Sequence, residues 1–370
     1  MILGIVKEIK NNEQRVAIAP GGVREIDAIG ATVLIETSAG VASGISDEAY
    51  NNEGAKILDS AKEVFDNADM IIKVKEPLKD ELDMLNEGQA LFTYLHLASD
   101  KDLTKRLLEK KVTGIAYETV QTDEGFLPLL FPMSEIAGKM SVQAGAYHLQ
   151  SNAGGRGVLL GGVPGVAPAS VLVIGAGTVG SNAAKVAVGM GAQVTVMDKI
   201  EQKLVHIDEI FSGKIRTIIA NEYNLVEELS GADLIIGAVL VPGKKAPKVI
   251  TKDMLSKIKK GAVIVDVAID QGGCVETSRP TTYSDPVFTV DGVVHYCVAN
   301  IPGAVAKTST SALTNATLQY ILDIAKQGVT GAIKADPCLK RGINTFNGHL
   351  TNKAVSESLE IEYTDIDGLL

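Results

Sequence analysis

The chain has 370 residues, 46% hydrophobic and 22% charged, with 37 Gly and no Trp. That length fits two domains better than one core, and the composition excludes a disordered or fibrous chain. Acidic residues exceed basic ones by 45 to 35, a net charge of -10 with no Lys/Arg run, which argues against nucleic acid as a partner.

In chain order, MILGIVKEIK puts charges straight after a short apolar run, too short for a secretory core, so a cytoplasmic protein is expected. Short β-rich runs at Ile2 to Val6, Thr32 to Glu36, Met70 to Lys75, Ala90 to Leu95 and Gly114 to Tyr117 alternate with helix-period segments such as Asp100 to Lys110. Alternation of this kind predicts a parallel sheet covered by helices. Ser134 to Gln150 reads as a helix with the domain junction near it, and the Gly/Pro-rich stretch Gly154 to Pro168 is expected to end the first unit. Pro164, Pro168 and repeated Gly break the uncharged stretch Gly157 to Ala184, so no membrane span is expected there.

A second series follows, with strands expected at Val171 to Ile174, Gln193 to Met197, Leu234 to Ala238, Ala262 to Val267 and Val293 to Val298. Beyond Pro302-Gly303, Ser309 to Lys326 reads as a long helix that returns to the first lobe. The expected fold class is α/β, with two Rossmann-like doubly wound domains, the first discontinuous. Residues 1–128 and 305–370 form one domain and 129–304 the other. Cys274, Cys297 and Cys338 are widely spaced without a CxxC, which suits reduced structural thiols and gives no metal site.

The most specific local signal is VLVIGAGTVGSNAAKVAVGMGAQVTVMDK, an apolar strand, a Gly-rich turn, a helix and a second strand ending on an acid. Gly175 permits the tight turn, Gly177 lets a pyrophosphate approach the backbone, and Gly180 lets helix and strand pack closely. The helix N-terminus offers unpaired N–H groups to phosphates, and Asp198 can accept from a ribose diol. An acid there favours NAD over NADP, because a 2'-phosphate would face a carboxylate; Lys199 and Lys203 lie nearby.

Ligands of open α/β sheets bind beyond the carboxyl ends of the strands. Arg15 after the first strand, Lys75 and His96 at later strand ends, and Asp270 and Asn300 in the second lobe occupy such places. Taken alone, Arg15 and Lys75 would equally pass as solvated charges, and Asp270 as a turn residue before Gly272. His148, His206, His295 and His349 read as structural.

The segments KEIKNNEQRVAIAP, KVKEP, TYLHLA, PMSEIAG, GGVPGV, GAGTVG, DVAIDQGG and HYCVANIPGAV, in this order and over nearly the whole chain, resemble the alanine dehydrogenase family. The resemblance implies an NAD domain inserted in a discontinuous substrate domain, a cytoplasmic homohexamer, and NAD-dependent, reversible oxidative deamination of L-alanine to pyruvate and ammonium. It implies Arg15 and Lys75 as substrate binders and His96 with Asp270 as the catalytic pair. For NAD contacts it adds Ser134, Thr178, Val179, Lys203, Val239, Leu240, Val267, Arg279, Val298, Asn300 and Ile301; strand-end packing is the plain alternative for Val239, Val267 and Val298. The sequence departs from the family at Ile301, where Met is usual, at Ala306-Lys307, and at Ala220, where Ser is common.

Three other readings stand beside this one. The NAD-binding module of a proton-translocating transhydrogenase resembles the chain in both lobes, but lacks the His of TYLHLA, the second Lys of KVKEP and the Asp of AIDQGG. A saccharopine-type dehydrogenase matches the local motifs less well. A catalytically silent NAD sensor would need the glycines but not the charged set.

Overall fold

The computed structural model describes residues 1–239 and 245–370, so Leu240 lies outside the described residues. The chain divides into two compact units, Met1–Met133 with Gly303–Leu370, and Ser134–Pro302. No described helix is long and apolar enough to cross a membrane.

The first unit is built on β1 (Ile2–Ile5), β2 (Thr32–Glu36), β3 (Lys56–Leu58), β4 (Met70–Ile72), β5 (Ala90–Thr93) and β6 (Thr113–Ala116). The second contains β7 (Ser170–Ile174), β8 (Gln193–Asp198), β9 (Arg216–Ile219), β10 (Leu234–Gly237), β11 (Val263–Asp266), β12 (Val287–Val290) and β13 (Val293–Tyr296). The C-terminal residues return to the first sheet as β14 (Ile343–Phe346) and β15 (His349–Leu350), giving the order β15-β14-β6-β5-β4-β1-β2-β3. The second sheet runs β12-β13-β11-β10-β7-β8-β9. Between the strands of the described residues, antiparallel pairing joins β14 to β6, β15 to β14, and β12 to β13, and the other pairs are parallel. Both units are therefore doubly wound, and in both the strand order reverses beside the first strand, between β1 and β4 and between β7 and β10. Such reversals open a crevice at the carboxyl ends of the strands.

Strand side chains alternate between faces, and here both faces are covered, so nearly every position is apolar. Val171, Val173, Val196, Ile236 and Val265 fill one core of the second unit, while Leu172, Ile174, Met197, Ile235 and Ile264 fill another. Each such side chain contributes about 1.5–3 kcal/mol when fully buried. The corresponding layer of the first unit gathers Val6, Leu34, Phe65, Ile71, Leu91 and Leu107. Helix starts are marked by local chemistry: Asp100 accepts from the Leu103 amide at 2.9 Å ahead of Lys101–Glu109, and Ser60 with Glu63 closes a capping box ahead of Ala61–Asn67.

Three sequence expectations change. Gly154 to Pro168 lies inside the second unit instead of ending the first, because its Gly/Pro punctuation makes a turn pinned at Val163 and Val166, not a linker. The helix expected over Ser309 to Lys326 extends over Ala306–Ala335 and is interrupted at Gly328, whose φ of 72° and ψ of 162° only glycine adopts at little cost. Met70 to Lys75 and Ala90 to Leu95 leave the regular ladder early, at Ile72 and Thr93, so Lys75 and His96 sit on irregular backbone beyond the strands.

Cys274 and Cys297 are buried free thiols, and burial pushes Cys297 up to about 11 and Cys274 well above its ordinary range, which makes them inert at neutral pH. His295 is fully buried with Nδ1 facing the Val293 carbonyl at 3.0 Å and Nε2 at 2.8 Å from the Thr277 hydroxyl. A carbonyl can only accept, so Nδ1 carries the proton and a neutral ring satisfies both partners.

Candidate active site

Within the first unit, the crevice between β1 and β4 collects charge. Arg15 follows β1 in a loop and is 2% exposed, and Lys75 follows β4 and is 8% exposed, so neither is a solvated surface charge. Glu13, also buried, holds Arg15 through Nε at 2.7 Å and Nη2 at 2.5 Å, and Arg15 Nη1 reaches Met133 Sδ at 3.1 Å. Burial works against the guanidinium charge, but the Glu13 hydrogen bonds and charge outweigh it and raise Arg15 above its ordinary value. A cavity of about 180 Å³ opens beside this pair, lined by Lys7, Glu8, Glu13, Gln14, Arg15 and Ser38 among others.

Lys75 is placed by a buried ionic cluster. Glu8 accepts from the Val74 amide at 2.6 Å and the Lys75 amide at 3.4 Å, and pairs with Lys73 at 3.2 Å; Lys73, with no exposed surface, also meets Glu81. Burial opposes the Lys73 charge, yet the two carboxylates raise its affinity for the proton. One ammonium between two acids leaves Glu8 above the usual carboxylate range, since burial outweighs the attraction of Lys73. A Lys73→Ala variant, leaving two buried carboxylates without their cation, is expected to lose about 3–5 kcal/mol of stability, read as a lower urea midpoint. Glu76, next in the chain, is ion-paired with Lys10; burial raises it, but Lys75, Lys10 and His96 prevail and hold it below its usual value.

His96 follows β5 with φ 50°, a left-handed backbone uncommon outside glycine. Its ring lies parallel to that of Tyr94, with centroids 6.0 Å apart, and is 39% exposed as a side chain. Glu118, after β6, accepts from its amide at 2.6 Å and stands 4.0 Å from its Nδ1.

In the second unit, Gly175 follows β7 with φ 108°, and Gly177 precedes the helix Thr178–Gly189, whose N-terminus no side chain caps. A Cβ on Gly175 would lie 2.5 Å from the Ala238 carbonyl oxygen, and one on Gly180 would overlap the Gly175 carbonyl oxygen; at Gly177 a Cβ would meet nothing within 4 Å. Close packing therefore explains two of the three glycines. Gly177 is instead free to admit a diphosphate to the backbone amides of the uncapped helix, so the turn fits a dinucleotide. Asp198 ends β8, accepts from the Ala176 amide at 2.8 Å and the Ile200 amide at 2.9 Å, and is 3.8 Å from Lys203 Nζ. Val239 follows β10, across the reversal from Gly175.

The remaining predicted residues sit at neighbouring strand ends. Asp266, buried, accepts from the Ala268, Cys274 and Val275 amides, and so shapes the one-turn helix Val267–Gln271 that carries Val267 and exposed Asp270. Asp270 accepts from the Asn300 amide at 3.2 Å, and Asn300 is left-handed with φ 60°. Val298 and Ile301 are buried, and the Ile301 carbonyl accepts from Tyr283 at 2.7 Å. Arg279 lies over the Phe288 ring at 4.4 Å, and Thr178, Val179 and Ser134 are partly exposed, Ser134 being the first residue of this unit. A cavity of about 550 Å³ lies at the opposite ends of β7, β8 and β9 around Ser170, Gln193 and Arg216, away from the glycine turn.

Sequence reasoning did not single out Glu8, Glu13, Lys73 or Glu118. Only Glu13 left a local signal, an acid two residues from Arg15; the others meet their partners across the sheet.

The model of the alanine dehydrogenase/PNT N-terminal domain matches residues 4–137, and that of the C-terminal domain matches 141–353. An alanine dehydrogenase of Methanococcus maripaludis is 55% identical over 371 residues, covering 100% of both chains. One from Mycolicibacterium smegmatis is 53% identical over 365 residues, 99% of this chain and 98% of its own. A solved L-alanine dehydrogenase superposes with a TM-score of 0.94 at 47% identity, covering 97% of this chain and 99% of that one. A transhydrogenase from Sinorhizobium meliloti, at 23% identity and a TM-score of 0.80 over 96% of this chain and 100% of its own, shares the fold. Matches that span both units and the full length show that the chain belongs to the alanine dehydrogenase/PNT family.

Proposed function

We propose that the protein is an L-alanine dehydrogenase that uses NAD for the reversible deamination of L-alanine to pyruvate and ammonium. The observation that carries the reading is the pair of buried cations, Arg15 and Lys75, at the strand reversal of the first unit. Buried cations at a crevice suit a small carboxylate substrate, Arg15 by directional hydrogen bonds and Lys75 as a point charge beside the α-carbon substituent. When bound on the turn Gly175 to Gly180, NAD would supply the nicotinamide that takes the α-hydride. His96 takes and returns the protons of the hydration and collapse steps, being the side chain that titrates nearest neutrality. Asp270 orients water or balances the cationic imine, and its hold on the Asn300 amide places the two residues together. Asp198, at the end of β8, is the ribose acceptor that disfavours a 2'-phosphate. The relatives' name supports alanine as substrate, and the charged set, which a silent NAD sensor would not need, supports catalysis over sensing.

Purified protein mixed with NAD and single amino acids is expected to produce NADH absorbance with L-alanine, and less with NADP in place of NAD. A flat trace with L-alanine beside a clear response to another amino acid would overturn the substrate. We further infer a cytoplasmic homohexamer, which light scattering tests: a monomer mass refutes it.

A further inference from the structure

We propose that Glu118 is the positioning residue for His96, fixing the backbone turn that presents the imidazole and favouring its protonated form. The inference rests on the proposed role of His96 and extends it to the residue that holds its backbone. The geometry begins where the ladder between β5 and β6 ends, at Thr93 and Ala116. Beyond that point a side chain replaces the neighbouring strand as acceptor. The Glu118 carboxylate receives the Leu95 amide at 3.2 Å and the His96 amide at 2.6 Å, two consecutive donors at the place where the chain turns left-handed.

A non-glycine residue in that conformation persists when its surroundings determine it. Here the determinants are the two amide bonds to Glu118 and the turn that follows, in which Ser99 donates to the His96 carbonyl at 2.8 Å. The same carboxylate, 16% exposed, lies 4.0 Å from His96 Nδ1, too far for a hydrogen bond and near enough to stabilise an imidazolium. Around the ring of the first unit's His96 stand Glu118, just after β6; Glu76, in the turn after β4, which feels the His96 charge; and the Tyr94 ring, two residues before it. Of these, Glu118 alone holds both the backbone and the charge of His96.

The two contributions separate in two variants. Glu118→Gln keeps an oxygen that can accept an amide while removing the charge; Glu118→Ala removes both. Histidine ring NMR of the free protein, with a His96→Asn spectrum for assignment, is expected to show His96 titrating about one pH unit lower in Glu118→Gln. The pH profile of kcat should move the same way, with KM for L-alanine unchanged, and Glu118→Ala should lose more in kcat than Glu118→Gln. A folded Glu118→Gln protein whose His96 titration and pH profile match the wild type overturns the proposal, and this variant decides the matter if Glu118→Ala does not fold. If the wild type does not oxidise L-alanine, the proposed function fails, whereas the NMR titration still tests the coupling of Glu118 to His96.

Discussion

Replacing His96 by Asn, or Asp270 by Asn, is expected to leave a folded protein whose alanine-dependent turnover is lower by about 10²- to 10⁴-fold, the usual contribution of a positioned acid or base. The choice of Asn at position 96 follows from the backbone. His96 is left-handed, a conformation that Asn tolerates better than most residues, so the imidazole is removed without forcing the turn to relax. At position 270 the amide oxygen of Asn can still accept from the Asn300 N–H, so the local geometry survives and only the charge goes. If either variant, shown to be folded by circular dichroism, retains near-wild-type kcat, that residue is not part of the catalytic pair.

The second large effect concerns the glycine turn. Gly180→Ala places a Cβ onto the Gly175 carbonyl oxygen, a backbone atom that cannot rotate away, so the helix Thr178–Gly189 must shift from β7. Overpacking of this kind costs about 1–3 kcal/mol and often more when backbone moves. The expected result is a lower melting temperature together with loss of the saturable fluorescence change on NADH addition. Gly177→Ala is the informative contrast. Its Cβ meets no protein atom, so the fold should be retained while dinucleotide binding is weakened. Equal binding by wild type and Gly177→Ala would show that the turn is a packing device and not a phosphate cradle.

Much of the architecture was legible in the sequence because its strands are buried on both faces. Val171 to Ile174 or Met70 to Ile72 can be read as strands from composition alone, since such apolar runs bounded by turns admit few other structures. Strands that lie at edges carry no such mark. Lys56–Leu58 and Arg216–Ile219 have exposed or half-exposed residues, and Ile343–Phe346 is recruited by pairing with β6, a partner far away in the chain. The site divides along the same line. The turn Gly175 to Gly180 was legible because strand, glycines, helix and acid lie in one short segment. Arg15, Lys75 and His96 became candidates through strand ends and a family resemblance, and no sequence rule states that the first two are buried. Glu8, Lys73 and Glu118 stayed silent because their meaning is a contact between elements that only the folded sheet brings together.

Because β14 and β15 form one edge of the first sheet, residues 1–133 cannot finish folding until the residues of those two strands have been synthesised. Ser134–Pro302 is contiguous and faces no such wait. During synthesis Ser134–Pro302 is therefore expected to reach its native state ahead of residues 1–133, with β6 exposing an unpaired edge until β14 arrives.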